Sequence, residues 1–231
     1  MIWVAAPAAA QSLELAVDTD RRARGLSETG GRASASMRAD IALTESLHAS
    51  AEGALLRGSP RHGGADLGTD LALGYRLNRG LWSFDAGAVA RLFIGAAGKL
   101  DYGEAYIGTS YALGPALVGL SASYAPKQSA IGGDNLYFRA HAAMGIPGTP
   151  ITMRGHIGRS SGTIDDVVKA ARLRPGGRFI DWSLGADLAR GPLTLGLSYS
   201  GTDMSRAIAT GPFADPRHSG SALVGRIGYS F

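Results

Sequence analysis

The chain has 231 residues, with 34 glycines, no cysteine, 18% charged residues and a formal net charge of +4. The lack of cysteine excludes a disulfide framework and a thiolate metal site, and the basic residues are scattered singly without a recognised motif, which sets nucleic acid aside as a partner. No apolar run approaches the roughly 18 residues of a transmembrane helix, but a β-barrel hides its hydrophobicity in alternation, so the mean hydropathy of +0.03 leaves a membrane open.

In chain order, residues 1–10 resemble the tail of a signal peptide, with Ala8 and Ala10 as a small-residue cleavage pattern and mature material starting near Gln11. The basic region and most of the apolar stretch of such a signal are missing, which points to a start upstream of Met1. Residues 11–231 then read as one domain. From Ser12 onward about twelve segments of roughly 7–12 residues alternate with period two, the mark of strands. Leu13, Leu15 and Val17 oppose Glu14 and Asp18. Ala35, Met37, Ala39 and Ile41 oppose Arg32, Arg38 and Asp40. Leu47, Ala49, Ala51 and Leu55 oppose His48 and Glu52. Leu71, Leu73, Tyr75 and Leu77 oppose Asp70 and Arg76, and Trp82, Phe84, Ala86 and Ala88 oppose Asp85 and Arg91.

The second half continues the pattern. Ala105, Ile107 and Tyr111 oppose Glu104; Val118, Leu120, Ala122 and Tyr124 oppose Ser121 and Ser123. Phe138, Ala140 and Met144 oppose Arg139 and His141; Ile151, Met153 and Ile157 oppose Arg154 and His156. Ile180, Trp182, Leu184 and Leu188 oppose Asp181 and Asp187, Leu193–Tyr199 alternates likewise, and the last segment sets Ile227, Tyr229 and Phe231 against Arg226.

Alternation alone also fits a soluble sandwich. Two features separate the readings. Short connections (Thr44–Ser46, Asn78–Gly80, Gly114–Pro115, Pro147–Pro150, Arg190–Pro192) alternate strictly with longer ones (Arg22–Gly31, Gly58–Ala65, Ile94–Leu100, Pro126–Asp134, Ser160–Arg178, Thr202–Ser219). In bacterial outer-membrane barrels the short turns are periplasmic and the long loops extracellular. The outward aromatics also sort to strand ends, with Tyr75, Trp82, Phe84, Tyr111, Tyr229 and Phe231 toward the short turns and Tyr124, Phe138, Trp182 and Tyr199 toward the long loops, as interfacial girdles require. The sequence therefore predicts an all-β fold, a single closed antiparallel transmembrane β-barrel of about 12 strands in the bacterial outer membrane. Its partners are outer-membrane lipid and, through the C-terminal strand ending at Phe231, the barrel-assembly machinery.

In such a barrel the polar face lines the lumen. Arg32, Arg38, Asp40, Glu52, Asp70, Arg76, Asp85, Arg91, Glu104, Arg139, Arg154, Asp181, Asp187 and Arg226 are the predicted pore-lining residues. They would set a transverse field with mild ion selectivity, or form arginine–carboxylate ladders that plug a tight interior. His48, His141 and His156 each stand alone, without metal-site spacing. No nucleophile elbow marks a serine, so no catalytic, cofactor or metal residue is predicted. In the connection 160–178, Thr163 and Asp166 form a capping-box-like start for two to three helical turns. That segment would narrow the pore if it folded inward and cap the surface otherwise, the second being favoured.

Asp20-x-Arg22-x-Arg24-Gly25-x-Ser27 resembles the opening signature of the TorF family, small bacterial outer-membrane proteins assigned as porins; Asp101–Tyr106, His156–Arg159 and Asp181–Gly185 are similar too. The resemblance spans nearly the whole mature chain. The family usually carries aromatics after the aspartate, where this chain has Arg21 and Ala23. It implies a porin-like role without naming a solute. The expected function is passive diffusion of small hydrophilic solutes or ions, the alternative a filled barrel acting as a structural or surface-interaction protein, and an outer-membrane hydrolase the least favoured.

Overall fold

The computed structural model describes residues 11–204 and 211–231. The segment 1–10, read above as signal-like, lies outside them. Twelve long strands close into one barrel: β1 (Gln11–Asp18), β4 (Ser34–Ala42), β5 (Leu47–Ser59), β6 (Ala65–Arg79), β7 (Trp82–Ile94), β8 (Tyr102–Leu113), β9 (Ala116–Gln128), β10 (Gly133–Gly145), β11 (Ile151–Ser161), β12 (Phe179–Arg190), β13 (Leu193–Thr202) and β14 (Ala222–Ser230). Each pairs antiparallel with its neighbours, and β1 closes the ring by pairing with β14 from Glu14↔Ser230 to Asp18↔Arg226. Closure removes the free edge, so the strand backbones pair on both sides.

The alternation read from the sequence sorts the faces. Leu120, Ile107, Leu184 and Leu223 point outward and are 61–63% exposed, while Glu104, Asp181 and Ser200 on the opposite parity are buried. The aromatics form the expected girdles. Trp82 stacks with Phe84 and meets Tyr111 at the short-turn end, and Trp182 meets Tyr199 at the other. At the short-turn end Gly80, Gly114 and Gly191 take φ of +60°, +60° and +56° as the first residue of two-residue turns. Such a tight hairpin favours glycine there, because its twist matches that of the strands.

The long-loop end departs from the sequence reading in two places. The connection after β1, expected as an extracellular loop, turns back into the barrel as a two-stranded hairpin, β2 (Arg22–Ala23) and β3 (Leu26–Ser27). Gly25 at its tip has a φ of +74°, and a Cβ there would lie 2.7 Å from Asp181 Cβ and 2.8 Å from the Gly201 carbonyl oxygen. Only glycine can approach the wall so closely. The connection 160–178, favoured above as a surface cap with two to three helical turns, starts after Ser161 and holds a single turn, α1 (Val167–Ala170), capped by Asp166 rather than Thr163. Its following residues, 170–175, are buried. Leu173 joins Tyr102, Ala125, Ala130 and Ile131 in a small apolar core, with Phe93 packed against it. The hydrophobic core therefore sits at the long-loop end, and the middle of the barrel is polar.

Candidate functional site: a lumen crossed by an inward hairpin

The inward hairpin is organised by Asp20. Its buried carboxylate accepts hydrogen bonds from the Ser27 hydroxyl (2.5 Å) and the Thr29 hydroxyl (3.0 Å) and from Arg22 (3.1 Å). Arg22 also donates to the carbonyls of Gly25 and Gly220. These bonds leave Arg24 at the tip with a φ of +52°, aimed across the barrel. Its guanidinium donates to both oxygens of Glu104 on β8 (2.7 and 2.8 Å) and lies 4.6 Å above the Tyr137 ring on β10. Arg91 on β7 bridges Glu104 (3.3 Å) and Asp70 (2.7 Å). Arg21, where the resembling family carries an aromatic, joins Glu28 (3.1 Å) to Glu52 (2.6 Å). The hairpin thus crosses the lumen and is fastened to the opposite wall by charge-assisted bonds, about twice as strong as neutral ones.

Two polar spaces lie in the lumen. One, of about 850 Å³, is bounded by Arg38, Asp40, His48, Glu52, Asp70, Arg76, Asp85, Arg91, Glu104 and Tyr106, with Ser50, Ser83, Ser110, Ser121 and Ser123 between them. The other, of about 500 Å³, lies against Glu14, Asp18, Arg154, His156, Asp187 and Arg226. The charges pair along and across strands: Arg38 with Asp40 of its own strand (2.7 Å) and across to Glu52 (3.5 Å), Arg76 with Asp85 (2.7 Å), Arg154 with Asp187 (2.5 Å), and Arg226 with Glu14 (2.7 Å) and Asp18 (3.1 Å). Arg38 and Asp40 keep more than 40% of their side-chain surface in the lumen, where solvent screening leaves such a pair worth little. Glu104 keeps 1%, so its partners matter far more.

Not every predicted lining residue joins the ladders. Arg32 precedes β4, is exposed and bonds the Thr29 and Arg57 carbonyls, so it belongs to the rim and not to the lumen wall. Arg139 has the lumen parity of β10, is exposed, and has no carboxylate partner among the described residues. Asp181 is fully buried and pairs with an imidazole: His156 Nε2 is 2.9 Å away and the Tyr137 hydroxyl donates at 3.1 Å. His156 is therefore not alone, and His48 lies 3.6 Å from Asp85. Histidine and carboxylate fall on one face by register from strands distant in sequence. Spacing along one segment could not show that.

The long-loop end is closed by three arginines that sequence reading passed over. Arg172 is fully buried and donates to the carbonyls of Leu100 (2.9 Å), Ala130 (2.6 Å) and Arg61 (3.4 Å), with its guanidinium 4.8 Å above the Phe93 ring. Arg61, on the turn Pro60–His62, donates to the carbonyls of Arg172 (2.7 Å), Leu26 and Ser27. Arg174 bonds the Asp134 and Thr163 carbonyls and Asn135 Oδ1. Burial pushes Arg172 down to about 10 and lowers Arg61 as well. Next to them His62 stacks on Phe93 at 4.5 Å, with Nε2 3.6 Å from Glu28. Burial pushes His62 down to about 4, against the opposing pull of Glu28. Burial alone would raise Glu28, but His62, Arg21 and Arg61 hold it below the usual carboxylate range.

A pH dependence follows. Above about pH 6.5 His62 is neutral whether the cap is closed or open. Between about 6.5 and 4 an opened cap takes up a proton that the closed one refuses, so closure loses up to about 3 kcal/mol as pH falls through that window. Protease cleavage in 60–64 and 95–101 should rise across it, and His62→Phe, which keeps the stacking, should flatten the profile. An unchanged profile in that variant would show that His62 is not the titrating group.

A closed twelve-strand antiparallel barrel with apolar side chains outward and a charged lumen has the porin-like outer-membrane barrel fold. Solved structures agree on that fold: the "KdgM porin" superposes at a TM-score of 0.61 with 9% identity over 95% of this chain and 98% of its own, and the COG4313 outer membrane channel from Pseudomonas putida F1 at 0.57 with 12% identity over 98% and 97%. The chain belongs to the family described as "Bacterial protein of unknown function (Gcw_chp)", whose model matches residues 5–231. No curated protein matches the sequence. The resemblance to the TorF family rests on the short motifs alone, and the structure gives the first of them a physical role, since Asp20, Arg22, Arg24, Gly25 and Ser27 are the residues that build the hairpin.

Proposed function

We propose that the chain is an outer-membrane channel of narrow bore, passing small hydrophilic solutes or ions by diffusion, with the hairpin 20–28 as its constriction. The observation that carries this reading is the pair of polar spaces, about 850 and 500 Å³, inside a closed barrel, the smaller of them lined by Arg21, Arg22, Arg24 and Gly25 of the hairpin. A twelve-strand barrel has a lumen wider than side chains alone fill and narrower than that of a porin of sixteen strands. The short turns lie on the periplasmic side and the capped end faces outward, as in barrels of this fold. One similar structure is that of the KdgM porin in complex with disordered oligogalacturonate, which supports a hydrophilic solute as what the lumen takes.

The test is single-channel conductance of the refolded protein in a planar bilayer, with the reversal potential under a salt gradient. Discrete steps are expected. Arg139 is the lumen guanidinium without a carboxylate partner among the described residues, so Arg139→Ala should shift the reversal potential toward cation preference while the barrel stays folded. A second reading, a filled barrel serving as a structural or surface protein, is favoured by the fastened hairpin and the arginine-sealed cap. Silence from protein shown to be folded by circular dichroism and heat modifiability would select it. A hydrolase has less support. His156 commits Nε2 to Asp181, and among the described residues no serine hydroxyl is hydrogen-bonded to a histidine.

A further inference from the structure

On the outside of the barrel, strands β6 to β12 line an open trough of about 820 Å³. One cross-strand row runs along it, Tyr75–Ala86–Ile107–Ala122–Phe138–Arg159, each residue paired with the next across neighbouring strands. From Tyr75 to Phe138 the row alternates large and small side chains, so the surface is grooved rather than flat. Gly108, Ser121 and Gly158 contribute small residues to its floor, and the Tyr137 ring packs against Gly158 from the lumen side.

Arg159 breaks the apolar pattern. It shares the outward parity of Met153 and Ile157, is exposed, and has no carboxylate partner among the described residues. It stands two residues before the end of β11, at the long-loop side. A cation on the lipid-facing surface of a barrel is costly at mid-membrane and tolerated near the interface, where anionic headgroups supply its counter-charge. The guanidinium fork matches phosphate geometry, and the trough leading away from it is lined by hydrocarbon.

We propose that the trough is a lipid site: a phosphorylated lipid of the outer leaflet lays an acyl chain along Phe138, Ala122 and Ile107 while Arg159 holds its phosphate. A second copy of the chain fits less well. A two-fold contact would set concave face against concave face and bring two guanidiniums toward one another, leaving unfilled space and unpaired charge. The inference rests on the outer-membrane reading but not on the lumen being open.

The experiment uses the full chain in nanodiscs of phosphatidylcholine doped with lipid A, and counts retained lipid A by native mass spectrometry after mild detergent release. Wild type is expected to retain one lipid A. Arg159→Gln should weaken retention about fivefold, the order expected for one basic side chain at an anionic lipid surface. Ala122→Trp, which fills the trough, should lower it further, and Arg190→Gln, at a short turn, should not change it. Equal retention in all variants would overturn the site, as would a mass of two chains that Ala122→Trp abolishes. Both trough side chains point away from the lumen, so conductance should be unchanged in Arg159→Gln. Failure of the channel reading, seen as silent bilayers, is thereby kept apart from failure of the lipid site.

Discussion

Replacing Arg24 with alanine is expected to raise single-channel conductance severalfold. Arg24 is the residue that fastens the hairpin to the far wall, through both Glu104 oxygens and the face of Tyr137. Hydrogen bonds to charged groups contribute about 1.5–3 kcal/mol each, so loss of this pair releases the tip of the hairpin. Arginine and alanine both carry a Cβ and suffer alike from a φ of +52°; the comparison therefore reports the guanidinium and not backbone strain. Glu104 keeps Arg91 as a partner at 3.3 Å, which limits the cost to the barrel, and the folded band on unheated gels should persist. Arg24→Lys should fall between the two, since an ammonium keeps the charge opposite Glu104 but loses the planar guanidinium over the Tyr137 ring. Conductance unchanged in Arg24→Ala would remove the hairpin from the role of constriction.

Arg172→Ala should open the cap without opening the barrel. The guanidinium ties three connections together, Pro60–His62 through the Arg61 carbonyl, 95–101 through Leu100, and 129–132 through Ala130. Truncation leaves those buried carbonyls without donors and a cavity beside Phe93, and buried groups so orphaned cost about 1–3 kcal/mol each. The connections have no long strand pairing of their own to compensate. Trypsin sites at Lys99 and Arg178 should become cleavable at low protease concentration, and hydrogen exchange should quicken in 60–64 and 129–132 while β4 to β9 remain protected. If cleavage and exchange match wild type, Arg172 is packing material and the cap is held by its apolar core.

The strands were legible because the information is local. A period of two puts Leu120 outside and Ser121 inside whatever the rest of the chain does, and glycine at Gly114 permits a two-residue hairpin from its own φ. Several ion pairs were within reach for the same reason. Once β6 and β7 join through a tight turn, Arg76 must face Asp85 and Asp70 must face Arg91. Arg32 shows the limit of parity, since it continues the alternation of β4 and yet stands on the rim, where pairing has already ended.

The sequence by itself determined a twelve-strand barrel with a charged interior and girdled ends, because alternation, turn chemistry and closure of the last strand on the first leave a chain of this length few other ways to pair its backbone. Only the tertiary structure decided what occupies that interior. The hairpin at 20–28 is placed by Arg24 meeting Glu104, 80 residues away, and the cap by Arg61 meeting Arg172 across 111. Such contacts have no period and no spacing. They exist because closing the barrel brings distant strands within reach of one another, and a guanidinium removed from water must find its acceptors wherever the fold has placed them.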